Sequence, residues 1–152
     1  MTTIVATKHM MAADTKTIVG ESWFYGHKMT RIGKAVVGCA GDSTAIEKFL
    51  AWYRKPRGKK PEFKDSESFN ALVLTPTGLY HVDESLTLDP IHDDYFAVGS
   101  GAIAALVAMD CGLSPVEAIE AAARRDLNTG GKVETMRSEE RRVGKECTGS
   151  CR

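Results

Sequence analysis

No apolar run in this 152-residue chain reaches the roughly 18 residues needed to cross a bilayer, and its opening lacks the long apolar stretch of a secretory signal. Neither a membrane span nor export is expected, and the cytosol is the default compartment. A surplus of one charge is also missing, since 20 basic residues stand against 20 acidic ones. Gripping a phosphate backbone requires a basic footprint, so nucleic acid is not an expected partner. The cysteines, at 39, 111, 147 and 151, show no metal-ligand spacing, and a cytosolic chain gives them no reason to pair. Cys39 and Cys111 read as small buried hydrophobes; a reactive Cys39 in the tight Gly38-Cys-Ala-Gly41 segment would need a base beside it. No metal or cofactor is expected. What is present is ordinary globular material, 43% hydrophobic and 26% charged, in a length that suits one domain with a real core.

The last stretch stands apart. Arg137-Ser-Glu-Glu-Arg-Arg-Val-Gly-Lys-Glu-Cys147 has no hydrophobic period, and it resembles the peptide that one reading frame of a common short-read sequencing adaptor encodes. Residues 137–152 are accordingly taken as an artefactual tail, the bland alternative being a charged, solvated end. Residues 1–136 are taken as the single domain.

Within that domain, β-branched Thr3–Thr7 and the apolar run 10–13 predict a β-hairpin, and Thr17–Val19 and Ala35–Cys39 predict further strands. Ile46, Phe49, Leu50 and Tyr53 fall at helical spacing, which predicts a helix over 44–54, with Thr44 and Glu47 as its capping box. The basic run 54–61 is broken by two prolines and a glycine and reads as a solvated loop. Residues 69–74 and 78–82 flank a Thr75-Pro-Thr-Gly78 turn, a second antiparallel pair. The acidic stretch 81–94 lacks compact ligand spacing and reads as a loop rather than a metal site. After a strand at 95–98, an alanine-rich helix over 102–111 places Ile103, Leu106 and Val107 on one side. Ser114, Pro115 and Glu117 supply N-cap, first helical residue and capping-box partner for a third helix to about Arg125, with Val116, Ile119 and Ala123 inward. A last strand follows at 133–136. The order is α+β, helices layered on sheets.

Chemistry enters at the N-terminus. The small side chain of Thr2 lets Met1 be removed, and a free N-terminal threonine holds nucleophile and base in one residue, since its α-amine can take the hydroxyl proton directly or through water. Thr2-Thr-Ile-Val5, Ala12-Ala-Asp14, Lys28-Met-Thr-Arg-Ile32 and Gly38-Cys-Ala-Gly41, in that order, resemble the proteasome β-subunit and HslV-type threonine peptidases, which are N-terminal nucleophile hydrolases. Gly99-Ser-Gly101 and Arg125-Asp-Leu-Asn-Thr-Gly-Gly131 are similar to further segments of the same fold. The resemblance covers 2–136, and the 54–68 loop has no counterpart in it.

The resemblance implies a four-layer α-β-β-α sandwich and an endopeptidase working through an acyl-enzyme ester. It implies Thr2 as nucleophile, Lys28 as the cation that lowers the amine's pKa, Asp14 as the countercharge of Lys28, and the Gly38 N–H as oxyanion donor. Ser100, Asp126 and Thr129 become the hydrogen-bonding group around the amine. It further implies protein or peptide substrates, a homo-oligomeric ring that hides the threonines, and room for an ATP-dependent unfoldase partner. Two other readings keep the fold and change the function: a catalytically silent ring or scaffold subunit, and a hydrolase of small amides. Taken singly, Asp14 and Lys28 read as a surface salt bridge and Ser100 as a helix N-cap.

Overall fold

The computed structural model describes residues 2–138. The chain opens with β1 (Thr3–Thr7) and β2 (Met10–Ala13), then β3 (Lys16–Val19), β4 (Ser22–Tyr25), β5 (Met29–Ile32) and β6 (Ala35–Gly41). Helix α1 (Ser43–Arg54) is followed by β7 (Phe69–Thr75), β8 (Gly78–Val82), β9 (Asp89–Pro90) and β10 (Tyr95–Gly99). Helices α2 (Ala102–Asp110) and α3 (Pro115–Ala123) precede β11 (Glu134–Arg137).

Two antiparallel sheets result, ordered β10-β1-β2-β11 and β5-β6-β7-β8-β9, with β3 and β4 as a separate hairpin. The period of two along each strand sorts side chains into three cores. Ile4 and Ala6 of β1, Met11 and Ala13 of β2, Val36 and Ala40 of β6, and Leu72 and Leu74 of β7 meet between the sheets. The opposite faces of β6 and β7, with Val37, Cys39, Phe69 and Val73, pack on Phe49 of α1. Val5 and Ala12 pack on Ala105, Ile119 and Ala122 of α2 and α3. Helix, sheet, sheet and helices thus form a four-layer sandwich. Each large buried side chain such as Phe49, fully covered, stabilises it by about 1.5–3 kcal/mol.

Several local expectations are corrected. Asp42, not Thr44, caps α1, its carboxylate accepting the Ala45 N–H at 3.1 Å; the chain turns directly out of β6, and aspartate is the better cap. On α2 the inward residues are Ala105 and Met109, while Ile103 and Val107 are 76% and 56% exposed. That helix is apolar all round, so periodicity could not choose a face, and the side that lies close to β1 and β10 carries Ala105 and Met109. Helix α3 is capped by Ser114, Pro115 and Glu117 as read from the sequence, and it buries Ala118, Ile119 and Ala122. Strand β4 escaped sequence reading because its residues are exposed and aromatic or polar, and β5 because its four residues, Met29 buried and only Arg31 exposed, are too few to show a period. Cys111 is exposed rather than buried.

Strand β11 runs to Arg137, which pairs with Met10, one residue into the stretch taken as foreign. Backbone pairing is indifferent to the side chain there. Ser138 follows, its N–H donating to the His9 carbonyl at 2.8 Å, and 139–152 lies outside the described residues. Among the described residues, no helix is long and apolar enough to cross a membrane.

Candidate active site

Asp14, at the end of β2, is the hub. Its Oδ1 accepts the Thr3 N–H at 3.0 Å and the Lys28 Nζ at 3.0 Å, and its Oδ2 accepts the Gly130 N–H at 3.0 Å. One carboxylate therefore joins the start of β1, the segment before β5 and the loop before β11. The pair is not the surface bridge that its residues taken singly suggest, for the Lys28 side chain is 7% exposed and that of Asp14 0%. Burial pushes the Lys28 ammonium below the usual lysine range, and the hydrogen bond and charge of Asp14 act against that shift. Lys28 also donates to the Lys16 carbonyl.

A second network runs behind Thr3. Asp126 Oδ2 accepts Ser100 Oγ at 2.5 Å and Thr129 Oγ1 at 2.6 Å. Thr129 gives its hydroxyl proton to that carboxylate, so the 2.6 Å contact between the Thr3 and Thr129 hydroxyls has Thr3 as donor. Burial raises the Asp126 pKa, but the Ser100, Thr129 and Asn128 hydrogen bonds outweigh it and hold the carboxyl below its usual range. Ser100 is thus a partner of Asp126; the N-cap of α2 is Gly101, which makes no side-chain cap bond.

The flanking glycines admit this approach. A Cβ on Gly99, whose φ is +104°, would fall 1.7 Å from the Thr2 carbonyl oxygen, and one on Gly101 would fall 2.2 Å from Thr3 Oγ1. Thr3 is the polar residue that sequence reading left out. The Thr2-Thr3 doublet was its only signal, and the roles of the two hydroxyls separate only in three dimensions.

Thr2 and Lys28 line one cleft of about 660 Å³, whose apolar wall and floor include Phe24, Met29, Cys39, Ile46 and Leu50. Burial pushes the Cys39 thiol up to about 12, which leaves it inert rather than nucleophilic.

Gly38 does not sit where the sequence placed it. The Cys39 N–H donates to the Lys28 carbonyl at 3.3 Å and the Asp42 N–H to the Ser68 carbonyl at 2.8 Å. By alternation along β6, the Gly38 N–H faces Leu72, its partner in β7. Gly38 is a packing glycine: a Cβ there would lie 2.7 Å from Met11 Sδ and 3.1 Å from Ile4 Cγ2, between the sheets. Gly41 has the other parity. Its N–H points to the β5 side, beyond the first residue of that strand, and Gly41 lines the cleft with Thr2 and Lys28. The sequence signal for it was the second glycine of the same Gly-Cys-Ala-Gly turn.

Among the described residues, no three His, Cys, Asp or Glu side chains group closely enough to hold a metal ion.

The layers and their strand order define a sandwich of the N-terminal nucleophile hydrolase type. No family model matches the chain, and no curated protein sequence matches it. Solved structures do. BPH from Thiobacillus denitrificans, in complex with epoxomicin, is similar with a TM-score of 0.69 at 23% identity, over 91% of this chain and 97% of its own. HslV from Trypanosoma brucei gives 0.67 at 17% identity, over 88% and 97%. A Gly-1 mutant of Anbu from Hyphomicrobium sp. strain MC1 gives 0.67 at 13%, over 91% and 82%. At these identities the likeness establishes the fold.

Proposed function

We propose that the chain is a threonine endopeptidase whose nucleophile is Thr2, freed by removal of Met1. The observation that carries this reading is a buried lysine, held by a buried aspartate, in the same cleft as Thr2. In this mechanism Thr2 Oγ attacks the scissile carbonyl while its own α-amine takes the proton, and the amine then protonates the leaving group. The Lys28 charge favours the neutral amine, the form that can act as base. The Gly41 N–H meets the developing oxyanion, a donor of the kind whose removal costs about 2.7–4 kcal/mol of barrier. Water, activated by the same amine, then clears the acyl-threonine ester.

Substrates are proteins or peptides, with an apolar side chain laid against Met29, Cys39, Ile46 and Leu50. The protein works in the cytosol as a homo-oligomeric ring, which shields the nucleophile from bystander proteins; the exposed Ile103 and Val107 give α2 a face for another copy. An ATP-dependent unfoldase is the partner class that such a chamber would need for folded substrates.

The test is intact mass followed by treatment with epoxomicin, the compound in complex with BPH. Loss of Met1 and a single adduct on Thr2, absent in Thr2→Ala, together with turnover of fluorogenic peptides, supports the reading. Retained Met1 in assembled protein supports the silent subunit instead, and turnover of small amides alone supports the third reading.

A further inference from the structure

Lys28 belongs to a segment, 26–28, that lies outside any strand, between the fully exposed β4 and the start of β5. On its inner side the segment is fastened to the β2–β3 junction, through the Gly26 N–H to the Thr15 carbonyl at 2.8 Å and through Lys28 to Asp14. A second pair lies one residue along on each partner. His27 precedes Lys28, and its Nδ1 is 2.9 Å from both carboxylate oxygens of Glu134. Glu134 in β11 pairs directly with Ala13, the residue before Asp14. The two pairs therefore run side by side, one buried and one at the surface. His27 forms the partition between the cleft and a hollow of about 500 Å³ behind it, lined also by Tyr25, Lys132 and Glu134.

We infer that His27 and Glu134 form a clamp that positions Lys28 against Thr2, so that both are positioning residues for the proposed reaction. A carboxylate only accepts, so the His27 Nδ1–H is the donor and the clamp closes with the ring neutral or charged. The His27 side chain is 82% exposed and that of Glu134 31%. An exposed pair of this kind adds little to global stability. Its consequence is geometric instead: without it the outer side of the segment loses its tie to β11, leaving the β2–β3 junction and the Cys39 N–H on the Lys28 carbonyl to hold it, and a small displacement of a charge that tunes a base is felt in the rate.

The inference rests on the threonine-peptidase reading for its kinetic consequence but not for its structural one, and the experiment separates the two. Full-length His27→Ala, Glu134→Ala, the double variant and His27→Asn, which keeps a donor at the Nδ1 position, are compared with the wild type. The first readout is the rate at which Lys28 is acylated by an N-hydroxysuccinimide ester, followed by peptide mass spectrometry. The clamp predicts a severalfold faster rate in His27→Ala and Glu134→Ala, no further gain in the double variant, and a return toward wild type in His27→Asn, with unfolding midpoints nearly unchanged. An unchanged acylation rate, or single effects that add in the double variant, overturns the clamp whatever the turnover shows. The second readout is the pH profile of kcat/KM. The rising limb moves upward and kcat falls at constant KM, because the displaced ammonium no longer favours the neutral Thr2 amine. A loss of activity with an unmoved limb, or a change confined to KM, overturns the positioning role. A wild type that neither turns over peptide nor takes an adduct at Thr2 sinks the peptidase reading, and the acylation rates still decide the clamp.

Discussion

Asp14→Asn is the sharpest test of the buried hub. From the sequence this change looks milder than Lys28→Ala, because it leaves the lysine in place. The structure removes that difference. All three partners of Asp14 are donors, the Thr3 N–H and Lys28 Nζ on one oxygen and the Gly130 N–H on the other, each at 3.0 Å. Asparagine has one acceptor oxygen, so its amide group must face at least one of these donors, an orphaned buried bond worth about 1–3 kcal/mol. The larger loss is the charge. At 3.0 Å and an effective dielectric of about 20, the attraction is on the order of 5 kcal/mol, and breaking a buried pair typically costs about 3–5 kcal/mol. Burial already depresses the Lys28 pKa, and without Asp14 it falls further, so less of the ammonium survives at neutral pH. The expected result is a urea-unfolding free energy lower by about 3–5 kcal/mol. In conditions where the variant is still folded, kcat/KM drops at least about tenfold, or about 1.4 kcal/mol of barrier, comparably to Lys28→Ala. Its falling limb moves to lower pH, since the protonated lysine is now lost earlier. Asp14→Asn protein with the wild-type midpoint and the wild-type pH profile would refute both the buried pair and its role.

Four further outcomes follow from the same geometry. Gly99→Ala forces a Cβ to within 1.7 Å of the Thr2 carbonyl at a φ of +104°; peptide turnover should be abolished, with stability reduced by about 1–3 kcal/mol or more, as read by thermal unfolding and a fluorogenic peptide. Gly38→Ala should lower stability by about 1–3 kcal/mol through crowding between the sheets, yet leave the folded fraction able to take an epoxomicin adduct, whereas an oxyanion donor at Gly38 would predict the loss of that adduct. Cys39, with its thiol raised to about 12 against an ordinary value of about 8.5, keeps its proton in the fold while the unfolded chain loses it; its contribution is therefore complete below about pH 8.5 and is lost as pH rises toward 12, at up to about 1.4 kcal/mol per pH unit. Urea unfolding of Cys39→Ala should lack that alkaline decline, and native-state alkylation should mark Cys111 and spare Cys39. Ile103→Lys with Val107→Lys should shift sizing chromatography toward smaller particles without changing the far-ultraviolet circular dichroism, and an unchanged particle would exclude that face from assembly.

What the sequence made legible follows from locality. Hairpins announced by β-branched runs and turns, and the Ser114-Pro115-Glu117 cap, depend on neighbours a few residues apart, and they appear where expected. The inward face of α2 was left open because nothing local distinguishes Ile103 from Ala105; the choice is made by how near the helix lies to β1 and β10. Strands β4 and β5 were missed for the complementary reason, since neither the exposed aromatic residues of β4 nor the four residues of β5 carry a period-two signature. At the site, Asp14, Lys28, Ser100, Asp126 and Thr129 were singled out by a resemblance, but their wiring was not legible. The sequence gives no hint that Ser100 and Thr129 share one oxygen of Asp126, or that Thr3 donates into that network.

Gly38 shows why such a gap arises and how physics closes it. Two glycines stand three residues apart in one strand, and either fits a backbone that must come close to something. Strand parity separates them. An even-numbered position in β6 spends its N–H on β7 and turns its missing Cβ toward Ile4 and Met11, so its glycine is a requirement of sheet packing. An odd-numbered position turns its N–H toward the β5 side, where Cys39 still meets the Lys28 carbonyl just before that strand; Gly41 lies two residues further out and lines the cleft with Thr2 and Lys28. The proposed oxyanion donor therefore sits where the sheet edge ends pairing. Asp14 and Lys28 sit at comparable ends, just past β2 and just before β5, where backbone groups and side chains come free of the ladder. Placing the chemistry at the common open end of two sheets lets one buried carboxylate tie together segments 14, 28 and 130, so the site can exist only once both sheets have packed.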